Sequence, residues 1–145
     1  MLTVEDVEKA MKAELEEEEI EVMEESFDGR FHVKVDDKHE YDVYVGEDAR
    51  KKAVAEYIED NLFTFTPSFL RGHLKVRFSE EIVEKLTSVE SNELIKELLI
   101  DFDEFVIDAI AVNGGAGSFL GHYDGEEHEV DEGQFNNYTI YYYRV

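Results

Sequence analysis

The dipeptide Asp28-Gly29, standing between two runs of alternating side chains, constrains this chain most. Asp-Gly is a strong two-residue hairpin signal, because both central positions of a type I′ turn need φ > 0. Before it Ile20, Val22 and Ser26 alternate with acids; after it Phe31, Val33 and Val35 alternate with polar residues. Asp36-Asp37-Lys38 then turns the chain into Tyr41, Val43 and Val45. A period of two gives each strand one apolar face, so a three-stranded antiparallel meander is predicted.

Helical signals flank the meander. Thr3 with Asp6 makes an N-cap arrangement, and Val4, Val7, Met11 and Leu15 recur at helical spacing, predicting a helix over residues 4–17. After Gly46 a second helix is expected from Asp48 to Asn61, burying Ala49, Ala53, Val54, Tyr57, Ile58 and Leu62. Thr66 as N-cap with Pro67 at N1 starts a short helix through Leu70, and Ser79 caps another carrying Ile82, Val83 and Leu86. The longest helix is expected from Asn92 to Val112, stopping at Asn113-Gly114. Phe119–Tyr123 and Tyr138–Val145 read as strands, with Asp124-Gly125 as a turn after the first.

Plotted at 100° per residue, that longest helix separates two kinds of side chain. Glu93, Glu97, Asp101, Glu104 and Asp108 share one narrow sector, while Leu94, Ile95, Leu98, Leu99, Phe102, Phe105, Val106, Ala109 and Ile110 share the other side. Like charges three and four residues apart destabilise a helix by a few tenths of a kcal/mol per pair, and their rungs stand ~5–6 Å apart. That interval is close to the phosphate spacing of a nucleic-acid strand. Lys96 lies off the ladder.

The chain has 37 acidic residues against 14 Lys plus Arg, a net −23. Residues 51–78 sum to +2, between blocks of −9 over 1–25 and −8 over 79–112. Duplex DNA carries one charge per ~1.7 Å, so the same charge occupies roughly 40 Å of DNA, about the diameter of a compact chain this long. Such a surface repels DNA, RNA and anionic membranes as direct partners. Ten Phe and eight Tyr supply a core, so this is no disordered acidic tail. The absence of cysteine removes disulfides and thiol chemistry. No apolar run reaches the ~20 residues of a membrane span, and no signal-peptide core is read at the start. A cytoplasmic setting is expected.

Other tracts carry weaker chemistry. His122, Asp124, Glu126 and His128 could serve a metal-dependent enzyme, although no helical pair of histidines is present. Gly114-Gly115-Ala116-Gly117-Ser118 follows a helix and lacks a phosphate-binding Lys, so it reads as a turn. No nucleophile elbow occurs, and no catalytic residue, metal ligand or cofactor is assigned. Arg71, His73, Lys75 and Arg77, beside Phe63, Phe65 and Phe69, form a basic island that could bind an acidic partner but is better suited to an internal or homodimer contact.

Two segments resemble a family of small bacteriophage and prophage proteins. Leu62-Phe63-Thr64-Phe65-Thr66-Pro67-Ser68-Phe69-Leu70 is similar to that family's L-W-A-F-N-x-x-F-L stretch, with Phe63 and Thr66 replacing the tryptophan and asparagine. Phe119 to Glu129 is similar to its F-L-x-x-Y-D-G-E-E-x-E segment, and Tyr142-Tyr143-Arg144 to its terminal strand. The resemblance covers residues 50–145 and implies an accessory protein acting in the cytoplasm of a bacterial host. It implies no activity.

The expected architecture is one α+β domain, residues 1–145. It comprises a helix and meander over 1–46, then helices and a C-terminal strand over 47–145. The helices pack on one face of an antiparallel sheet, and one of them is long and amphipathic. The expected function is protein binding: an acidic inhibitor, in the manner of a DNA mimic, occupying a basic nucleic-acid-binding host or defence protein. Its contacts would be Glu93, Glu97, Asp101, Glu104 and Asp108, extended by Glu16, Glu17, Glu18 and Glu19. The alternatives are a non-catalytic phage structural or housekeeping module that self-associates, and the metal-dependent enzyme.

Overall fold

The computed structural model describes residues 2–26, 28–135 and 138–145. The fold is α+β, and the chain groups into two compact units, residues 1–53 with 115–145, and residues 54–114.

The first unit is built on a five-stranded antiparallel sheet in the order β1-β2-β3-β5-β4. Its strands are β1 (Glu21–Ser26), β2 (Arg30–Asp36), β3 (His39–Val45), β4 (His128–Phe135) and β5 (Tyr138–Arg144). The predicted meander is present. Its first turn differs in type: Ser26 pairs with Arg30, and Gly29 has φ +93°, whereas Asp28 is not left-handed. A connection longer than two residues does not need both Asp28 and Gly29 left-handed. A Cβ on Gly29 would stand 2.8 Å from the Val45 carbonyl oxygen, so glycine is also required by space.

Helix α1 (Val4–Leu15) starts on the expected cap: the Thr3 hydroxyl accepts from the Asp6 N–H, and the Asp6 carboxylate accepts from the Thr3 N–H. That backbone hydrogen bond, with the Thr3 hydroxyl, lowers the Asp6 pKa. Val7, Ala10 and Met11 of α1 are buried with Phe31, Val33, Val43, Val130, Ile140 and Tyr142 of the sheet. Fully burying an aliphatic or aromatic side chain contributes roughly 1.5–3 kcal/mol, so this layer is the unit's main source of stability. The opposite sheet face carries His32, Asp42, Tyr44, Tyr141 and Tyr143 by strand alternation. Helical residues also reach this second face, beyond the one face expected from sequence. Arg50, on α2 (Glu47–Asp60), lies over the Tyr141 ring at 4.3 Å on this second face. Three tyrosines here are buried, which requires cover on that side too.

Phe119 lies in a short helix, α7 (Gly117–Leu120), where a strand was expected. The reason is close backbone approach. A Cβ on Gly117 would meet the Gly125 oxygen at 2.7 Å, and one on Gly121 the Glu126 nitrogen at 2.9 Å. Gly117 and Gly121 thus pack against residues 125–127, whereas Gly114, at φ +88°, ends the preceding helix as the turn read from the sequence.

The second unit contains the rest of α2, α3 (Pro67–Arg71), α4 (Glu80–Glu84), α5 (Asn92–Leu98) and α6 (Phe102–Asn113). Thr66 and Ser79 cap α3 and α4 as read from the sequence. The single long helix is overturned: it is two helices. Leu99 is extended (ψ 136°), the Lys75 N–H donates to the Leu98 carbonyl at 2.8 Å, and the Ile100 N–H donates to the His73 carbonyl at 2.9 Å. This short bridge, centred on Leu74 and Leu99, takes backbone groups that a continuous helix would have used. Asp101 then restarts the chain, its carboxylate accepting from the Glu104 N–H at 3.2 Å.

Candidate functional site

The break redistributes the acidic ladder. Glu93 and Glu97 lie on α5, Glu104 and Asp108 on α6, and Asp101 is the cap between them. All five are exposed. The regular rung spacing therefore stops after Glu97, and the wheel that placed five carboxylates in one sector no longer applies. Asp101 is committed to capping, a role worth about 1 kcal/mol. Asp108 stands 3.3 Å from His73 Nε2, whose ring packs against Phe69 and Phe105. Glu93, Glu97 and Glu104 have no ion pair among the described residues. The one lysine of α5, Lys96, is held by Glu59, which raises its pKa. Of the basic island, His73 meets an acid of its own unit, while Arg71, Lys75 and Arg77 are exposed. Exposed apolar side chains stand among these acids: Leu94, Ile100, Ile107 and Val112. Leu94 falls on the apolar side of the wheel but is exposed.

In the first unit, Glu16 to Glu19 form the exposed turn between α1 and β1. Glu16 is left-handed (φ 56°) at the C-cap, donating its N–H to the Lys12 carbonyl. Glycine usually fills this position, and other residues there carry a cost of order 1–2 kcal/mol.

The second sheet face supplies two polar clusters that sequence reading missed. His32 Nδ1 is 2.9 Å from Asp42 Oδ1 and 3.8 Å from Glu25 Oε1, and its Nε2 is 3.6 Å from Glu40 Oε1. Partial burial opposes the imidazolium, but the hydrogen bonds and charges of Asp42 and Glu40 outweigh it and raise the His32 pKa. Cross-strand pairing brings these residues together: His32 is opposite Asp42, and the β1 irregularity between Glu24 and Ser26 sits at Glu25. The extra residue of a bulge re-aims side chains. The available signal was the meander register itself, once Asp28-Gly29 had been placed.

In the other cluster, Arg50 Nη1 is 3.0 Å from Glu127 Oε1, and the Tyr143 hydroxyl donates to the same oxygen. Tyr143 is fully buried; that burial and the Glu127 carboxylate push its pKa far above ordinary tyrosine. Burial opposes the Arg50 charge, but Glu127 more than restores it, so its pKa is raised.

Of the tract considered for metal, the structure brings together Asp124, Glu126 and His128, and not His122. The first two are exposed, the Asp124 carboxylate also accepts from the Glu126 N–H at 2.9 Å in a turn, and His128 stacks on Tyr142. One pocket of about 280 Å³ is lined by Leu2, Asp28, Gly29, Phe31, Val45 and Tyr138. Among its described lining residues the one carboxylate, Asp28, pairs with Lys52 at 3.1 Å.

No family model, curated protein or solved structure matches this chain. Among the described residues no helix is long and apolar enough to cross a membrane.

Proposed function

We propose that this protein works by binding a basic protein surface, in the manner of an acidic inhibitor that competes with nucleic acid for its target. The observation that carries the reading is the exposed acidic charge of α5 and α6. Glu93, Glu97 and Glu104 face solvent without an ion pair among the described residues, in a chain of net charge −23. With the ladder broken, a partner would read the amount of charge and not a repeat of phosphate spacing. The break also adds apolar neighbours, which give a protein partner something to bury. Glu16 supports the same reading, since an acid stands where glycine would fit with less strain. The resemblance to phage proteins suits such a role, with a host nucleic-acid or defence enzyme as target.

Capture from a bacterial lysate, at roughly 50 mM and 500 mM salt, tests the idea, because exposed charge contacts are screened within about a Debye length. A basic protein should be retained at low salt and released at high salt, and its own DNA binding should fall when this chain is added. The combined variant Glu93→Lys, Glu97→Lys, Glu104→Lys should lose capture; undiminished capture would overturn the proposal.

A self-associating module is the second reading, favoured by exposed Ile100, Ile107 and Val112. Light scattering distinguishes it, since apolar association persists or strengthens at high salt while repulsion between two −23 chains is screened.

A further inference from the structure

We propose that the second face of the sheet binds a divalent first-row transition ion, with zinc preferred over manganese, through His32 Nδ1, Asp42 and Glu25. Acidic side chains alone do not make a metal site. Here an imidazole nitrogen stands between two carboxylates contributed by neighbouring strands.

The spacing fits a small ion. Bonds of ~2.0–2.1 Å to nitrogen and oxygen in a tetrahedral centre set neighbouring ligand atoms ~3.3 Å apart. The distances from Nδ1, 2.9 Å to Asp42 and 3.8 Å to Glu25, bracket that edge. Three ligands leave a fourth position for water, and the ion takes the place of the Nδ1 proton shared with Asp42, which is released to solvent. The other imidazole nitrogen faces Glu40 at 3.6 Å. A ligating histidine commonly offers its remaining N–H to an outer carboxylate, which fixes the tautomer and strengthens the ligand.

Charge supports the same assignment. Glu25, Glu40 and Asp42 converge on one imidazole, and among the described residues no lysine or arginine pairs with any of the three. Lys34, opposite Glu40, is directed to Asp37, and Arg30 is 3.5 Å from Asp28. An imidazole with carboxylates suits zinc, and zinc stands above manganese in the general affinity order. His32 and Asp42 are half-buried, whereas Glu25 is exposed and gives the ion a way in.

The test titrates the intact chain with zinc chloride, then manganese chloride, against excess magnesium, so that diffuse binding to the acidic surface is suppressed. Calorimetry should find one zinc per chain, bound more tightly than manganese. In the wild-type protein, imidazole nitrogen NMR should place the zinc-induced shift on His32 Nδ1; this readout needs no variant to fold. His32→Gln and Asp42→Asn should weaken binding by more than ~30-fold, and Glu40→Gln by about 10-fold or more. His128→Gln should leave it unchanged. The proposal is overturned by the absence of saturable zinc binding, by a shift confined to His128, or by zinc that binds no differently once His32 is replaced.

Discussion

Tyr143 illustrates how a side chain's chemistry follows from its address. A tyrosine near the end of an aromatic run looks like any strand residue, yet this one is fully buried with its hydroxyl on Glu127. Its pKa is raised in the folded state, and an ordinary tyrosine titrates near 10. The unfolded chain therefore releases this proton first as pH rises. The stabilisation is complete below about pH 10 and is lost progressively above it. Denaturant unfolding between pH 8 and pH 11.5 should show stability falling with pH. Tyr143→Phe should flatten the part of that fall due to this phenol; an unchanged slope would contradict the assignment. Local features of this kind divide by what determines them. The caps at Thr3, Thr66 and Ser79 were legible because each involves a side chain and a backbone group three residues apart. The grouping of Glu25, His32, Asp42 and Glu40 was not, since it depends on the register of three strands and one irregularity.

The α5–α6 break shows where reading by periodicity fails. Helical spacing continues without interruption through Leu98-Leu99-Ile100, so a wheel drawn across it finds one helix. Two facts decided otherwise, and one of them was visible. Asp101-Phe102-Asp103-Glu104 has the acid–x–x–Glu form of a helix start before an apolar run. The other, the bridge from Leu98 and Ile100 back to residues 73–75, is a tertiary contact that no local pattern announces. Asp101→Ala should therefore destabilise the protein by about 1 kcal/mol, whereas Asp101→Asn should be nearly neutral, because asparagine caps as well as aspartate. Thermal or denaturant unfolding of both variants separates a cap from a bare charge. If the residue mattered only as one of many repelling acids, both substitutions would stabilise. The sheet was the more legible part of the fold: its period-two runs are bounded by turn residues at both ends. The Phe119 segment was misread because the packing of Gly117 and Gly121 against 125–127 cannot be seen in a strand-like string of residues.

Taken together, 37 acids against 14 Lys plus Arg make self-repulsion the dominant electrostatic fact. The exposed ion pairs each contribute about 0–1 kcal/mol and weaken in salt, but the excess of like charge is far larger. Raising salt from roughly 10 mM, where the screening length is about 30 Å, to 1 M, where it is about 3 Å, should raise the melting temperature. A fall would mean that attractive pairs outweigh repulsion. The same charge bears on how the sheet is assembled. The central pairing of β3 with β5 joins Tyr44 to Tyr141, and the second unit lies between them in the chain. Closing a loop of roughly a hundred residues costs about 4 kcal/mol of chain entropy. The meander of β1, β2 and β3 closes through short turns, so its pairings cost less chain entropy, and without β5 one edge of β3 is unpaired. An unpaired edge invites pairing with other chains, and charge along it is a standard defence. Glu40 and Asp42 lie on that strand. A strongly acidic chain thus keeps its incomplete sheets apart until its own last strand arrives.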